Sequence, residues 1–86
     1  MEQVIVTPDY RPDEGLRFSW DEGFEIAVSV ERSEVLIKAN RAGLTTLARH
    51  LLTLAQEGVS DGMHIHLTAD QEIESEIDLI LERMAS

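Results

Sequence analysis

The chain has 86 residues, 43% of them apolar, and a formal net charge of −10 at pH 7 from 17 acids against 7 bases. A chain of this length makes one domain, with room for one sheet layer against one or two helices. It has no cysteine, which excludes disulfides and thiolate metal sites, and its acid excess argues against binding nucleic-acid backbone or an anionic membrane, which need clustered Lys and Arg.

The start, MEQVIVTPDY, has neither a basic region nor a long apolar core, so it does not read as a signal peptide. No apolar run nears the roughly 18 residues of a transmembrane helix. A soluble, cytoplasmic protein is expected. Residues 1–34 carry nine acids and three bases, residues 35–68 two acids and three bases, and residues 69–86 six acids and one base. A near-neutral middle is therefore framed by two acidic flanks, which would attract a basic partner.

Residues 1–15 contain Pro8, Pro12 and Gly15 among acids, and read as a loosely ordered arm before an α+β core over 16–86, all one domain. Leu16, Phe18 and Trp20 alternate with polar residues, which suggests an extra N-terminal strand. Asp21-Glu22-Gly23 is a turn signal. From Phe24 to Val30, and again from Val35 to Ala39, apolar residues alternate around the polar tip Glu31-Arg32-Ser33-Glu34, which predicts a β-hairpin. Asn40 is a suitable N-cap. After it Leu44, Leu47, Ala48, Leu51, Leu52 and Ala55 form the apolar stripe of an amphipathic helix, with Gly58 in the left-handed position that closes many helices. Asp61-Gly62 is a turn, and Met63 to Thr68 a strand with Ile65 and Leu67 on one face and His64 and His66 on the other. The tail from Asp70 to Met84 fits two patterns. As a helix it aligns Ile73, Ile77, Ile80, Leu81 and Met84; as a strand it lines up Glu72, Glu74, Glu76 and Asp78 on one face.

Little in this pattern carries chemistry. His64-x-His66 is the only metal-like spacing, but zinc needs three or four fixed ligands and no second motif supplies them, so no metal and no cofactor is assigned. The acid run Glu72 to Asp78 lacks the Asx and Gly pattern of a calcium loop. Ser60 is framed by no nucleophile-elbow motif, so no catalytic residue is assigned. Trp20, beside Asp21, Glu22 and Glu25, serves either as core or as an aromatic anchor within an acidic rim.

Three stretches carry a resemblance. Asn40-x-x-Gly43-Leu44, then Leu47-Ala48-x-x-Leu51-Leu52-x-Leu54-Ala55, then Asp61-Gly62-x-His64-Ile65-His66-Leu67, are similar to the bacterial polymorphic-toxin immunity proteins of family 32, over about residues 24–84. The final segment of that pattern follows a Gly-Ser-like turn and ends as a strand. Glu74-Ser75-Glu76 lacks the glycine, while Ile77 to Glu82 fits, so the resemblance turns the tail into a strand. It implies an α+β domain, strands and helix in the order ββαββ, with one helix on one face of an antiparallel four-stranded sheet. The core would comprise Phe24 or Trp20, Ile26, Val28, Val35, Ile37, Leu44, Leu47, Leu51, Leu52, Ile65, Leu67, Leu79 and Leu81. The resemblance also implies a non-enzymatic inhibitor of a cognate toxin. The acidic frame suits a basic toxin such as a nuclease. The expected contact surface comprises Trp20, Asp21, Glu22, Glu25, His64, His66, Glu72, Glu74, Glu76 and Asp78. Two other function classes are a homodimeric or regulatory module using the open sheet face or edge, and a metal-binding protein using His64 and His66.

Overall fold

A computed structural model describes residues 1–85. Strands β1 (Ile26–Glu31) and β2 (Glu34–Ala39) form an antiparallel hairpin, with Ile26 opposite Ala39 and Glu31 opposite Glu34. Both residues of its tight turn are left-handed, Arg32 at φ 52° and Ser33 at φ 65°, which matches the twist of the flanking strands. Helix α1 (Arg41–Leu54) follows directly. The Asn40 side chain accepts the Gly43 N–H at 2.8 Å and the Glu25 N–H at 3.0 Å, and donates to the Gly23 carbonyl at 3.0 Å. One amide thus ties the approach to β1 to the start of the helix. At Gly43 the helix crosses the hairpin so closely that a methyl group would strike the Glu25 carbonyl and lie 3.0 Å from Ala39 Cβ and Ile26 Cγ1.

The helix ends at Leu54. The Ala55 N–H donates to the Leu51 and Leu52 carbonyls at 3.0 and 3.2 Å. Gly58 is left-handed, at φ 89°, but lies in the following turn and does not close the helix as expected. Arg83 supplies a further cap, donating to the carbonyls of Leu54 at 2.7 Å and Gln56 at 3.0 Å. Strands β3 (His64–Leu67) and β4 (Leu79–Glu82) pair antiparallel, His64 opposite Glu82 and Leu67 opposite Leu79.

The α+β class and the ββαββ order stand, but the single four-stranded sheet does not. Among the described residues there are two separate two-stranded sheets, and one isolated parallel bridge, between Ala27 and Glu74, joins β1 to the segment between β3 and β4. There the Glu74 N–H donates to the Ile26 carbonyl at 2.8 Å and the Val28 N–H to the Glu74 carbonyl at 3.0 Å. The ladder stops because the next residues bond elsewhere. The Ile77 N–H turns back to Ser75 Oγ at 3.1 Å, and Asp78 accepts the Ala69 N–H at 2.8 Å. These local bonds peel the chain away from β1 before β4 begins. Leu16–Trp20 is likewise not a strand. Leu16, Phe18 and Trp20 pack against the edge of the core, and their alternation serves that packing without a ladder partner. Nearer the start, Arg49 Nε donates to the Val6 carbonyl, Gln56 Nε2 to the Pro8 carbonyl, and the Tyr10 N–H to Gln56 Oε1, at 3.0, 2.9 and 2.8 Å.

The core unites Ile26 and Val28 of β1, Leu47 and Leu54 of α1, Ile65 and Leu67 of β3, and Ile73. Leu67 is fully buried. Leu54, Val59 and Ile73 join the buried set unforeseen, whereas Val35, Ile37, Leu44, Leu51 and Leu52 are exposed. The helix has rolled relative to its leucine stripe. Its buried residues are Gly43, Thr46, Leu47, His50, Thr53 and Leu54, a face with the same helical spacing but a different composition. Two of its polar groups are satisfied: Thr46 Oγ1 accepts the Asp21 N–H at 2.9 Å, and Thr53 Oγ1 donates to the Arg49 carbonyl at 2.7 Å. Val30 and Val35 face each other next to the hairpin tip and are exposed, and Ile37 is exposed on β2 although it lies opposite the buried Val28.

Candidate functional site

Where the chain leaves β1 after Glu74, an open groove of about 1460 Å³ forms between the hairpin and residues 70–77. Strand β1 supplies Ile26 to Glu31, and β2 supplies Leu36 and Lys38. Six acids line it, Glu25, Glu31, Asp70, Glu72, Glu74 and Glu76, against the single base Lys38. In a parallel bridge the paired strand points alternate residues at the partner. Because the Ile26 carbonyl and the Val28 N–H face Glu74, the Val28 carbonyl and the Val30 N–H face the same edge, past the point where pairing ends. Among the described residues the groove therefore presents a short stretch of unpaired strand edge inside an acidic rim.

Four of the ten expected contact residues, Glu25, Glu72, Glu74 and Glu76, meet at this groove. Glu72 is partly engaged, its carboxylate accepting the Thr68 N–H at 2.8 Å. Glu31, Asp70, Lys38 and Leu36 also line the groove and were not singled out by the sequence pattern. Their signal was weak, because an acid at a hairpin tip or before a turn looks the same whether or not a groove opens beside it.

The other expected residues fall elsewhere. Asp78 sits against β3, where Oδ2 is 2.7 Å from His66 Nε2 and Oδ1 holds the Ala69 N–H. The Ala69 N–H, and then the His66 ring, hold its carboxyl below its ordinary value. His64 and His66 share the exposed face of β3, with His64 Nδ1 3.0 Å from the Gly62 carbonyl. Among the described residues no group of three or more His, Asp or Glu is placed to hold a metal ion. Glu22 is exposed. Asp21 pairs with Arg49 in a half-buried contact on the helix. Trp20 packs at the margin of the core, its ring 4.9 Å from Phe24 and 4.4 Å from His50.

His50, which the leucine stripe had placed outside, is fully buried. Phe18 and Trp20 meet it edge-on at 5.2 and 4.4 Å, and neither ring nitrogen has a hydrogen-bond partner. Burial, reinforced by the neighbouring Arg49 charge and opposed by Asp21, lowers its pKa to about 4. Burial thus favours the neutral ring.

No helix among the described residues is long and apolar enough to cross a membrane. The family model described as Immunity protein 32 matches residues 34–84, more than half of the chain. No curated protein and no solved structure matches it.

Proposed function

We propose, on the premise that this chain belongs to the immunity protein 32 family, that it binds a protein toxin and neutralises it without chemistry of its own. The family match from β2 through β4 carries this reading. A net charge of −10 and the six acids around the groove support a basic toxin, such as one acting on nucleic acid, as the partner. Acting as a cover over a basic site needs no catalytic group, and the buried, neutral His50 suits a structural role. Such a protein would work in the cytoplasm of the cell it protects.

The reading is tested through the gene's neighbourhood. An adjacent reading frame should encode a toxin that arrests growth when expressed alone and spares cells that co-express this chain. Affinity should weaken by about tenfold from low to physiological salt as the opposed charges are screened. A wild-type chain that gives no protection overturns the reading. Protection with salt-independent affinity overturns the charge argument while leaving neutralisation intact.

A second reading is self-association. A smaller apolar groove of about 450 Å³ is lined by Leu51, Leu54, Ile80, Leu81 and Met84, of which Leu51, Ile80 and Met84 are exposed. Sedimentation of the purified chain decides it, since a stable dimer without foreign protein favours this reading.

A further inference from the structure

The structure points to a specific mode of capture: the groove beside β1 accepts an extended basic segment of the partner as an added strand. This rests on the neutralisation reading and deepens it. Edge strands with open amides and carbonyls are templates for pairing, and proteins commonly blunt them. Here the Val28 carbonyl and the Val30 N–H continue the edge that Glu74 has begun to pair, and residues 75–77 turn aside instead of filling it. Main-chain bonds of this kind supply affinity, and side-chain pockets at alternate positions supply specificity.

Charge selects the occupant. With Glu25, Glu31, Asp70, Glu72, Glu74 and Glu76 around the slot and Lys38 alone opposing them, an acidic strand is repelled and a strand with Lys or Arg at alternate positions is favoured. A second copy of this chain would bring its own net −10, and so is disfavoured there. The volume, about 1460 Å³, exceeds the roughly 300–1,000 Å³ of small-molecule pockets and suits a chain segment. Among the described residues the outer edge of β2 is also unpaired, but the bridge from Glu74 and the acids of residues 70–76 lie along β1, so β1 is the edge assigned.

The probe is a synthetic octapeptide alternating lysine and valine, with a glutamate–valine counterpart as control, titrated into the full chain and followed by amide chemical shifts. Saturable shifts centred on residues 28–31 and 74–77 are expected from the basic peptide, and none from the acidic one. Val30→Pro removes the edge donor, and because that N–H faces away from β2 the hairpin ladder keeps its bonds. It should weaken binding by about tenfold or more, as should Glu74→Lys combined with Glu76→Lys, two exposed positions that keep the fold should proline disturb it. Equal response to both peptides, shifts centred on the helix or β2, or dimerisation through the groove would overturn the proposal. The co-expression assay separates the two readings. Protection by wild type that persists undiminished in both variants removes the added strand but keeps neutralisation, whereas no protection by wild type removes neutralisation itself.

Discussion

His50 is the residue whose environment contradicts its chemistry most sharply. An imidazole fully enclosed by Phe18 and Trp20, with both nitrogens unpaired, carries a desolvation cost that an apolar side chain would not. Its protonation has a definite sign. Above about pH 6.5 both folded and unfolded chains hold it neutral, and its contribution to stability is complete. Between about 6.5 and about 4 the unfolded chain takes up a proton that the fold refuses, so stability falls with pH, by about 3 kcal/mol across the window. His50→Leu, close in volume, should equal or exceed wild-type stability at neutral pH and should abolish that part of the acid-side decline. Urea unfolding at neutral and mildly acidic pH, followed by the fluorescence of Trp20 against this ring, measures both. An unchanged difference between the two pH values in the variant would refute the assignment.

At the scale of elements, the hairpin turn offers room for improvement. Arg32 and Ser33 both occupy the left-handed region that suits glycine or asparagine, at roughly 1 kcal/mol each for an ordinary side chain. Ser33→Gly should therefore raise stability by up to about 1 kcal/mol, seen as a higher thermal midpoint; a lower midpoint would mean that the serine makes a compensating contact. The hairpin, the cap at Asn40 and the strand through His64 and His66 were legible because each rests on local rules of alternation, capping and turn chemistry. The buried face of the helix was not. Leu44, Leu51 and Leu52 advertise a stripe, yet the face that meets the sheet is fixed by Gly43, the one position without a Cβ to block the approach. Thr53 could follow it inward because its hydroxyl bonds the Arg49 carbonyl one turn back in the helix, and Thr46 because it accepts the Asp21 N–H, a bond from a distant segment that periodicity does not encode. The tail was ambiguous for a related reason. Its acids read as one strand face, but the Glu72 and Asp78 carboxylates and the Ser75 hydroxyl bond nearby amides and bend the chain, which splits the sheet and opens the groove. Glu25, Glu72, Glu74 and Glu76 stand out in the sequence as acids, while the groove that gathers them depends on tertiary pairing that stops after one bridge.

For the molecule as a whole, the lone bridge between Ala27 and Glu74 makes a seam. The hairpin and helix lie on one side, and β3 with β4 on the other. Across the seam the backbone contributes two hydrogen bonds, so cohesion between the halves depends on side chains, with Leu67 and Ile73 packed among Ile26, Val28, Leu47 and Leu54. A body joined in this way can open partially without melting. Native-state hydrogen exchange should find the amides of Val28 and Glu74 released through a lower-energy opening than that of Ser29, which belongs to the continuous β1–β2 ladder. Identical exchange energies for all three would mean that the halves part only when everything unfolds. If the seam does yield first, the slot beside β1 widens with little disturbance to the strand that lines it, and the chain gains an adjustable jaw whose fixed side is the hairpin.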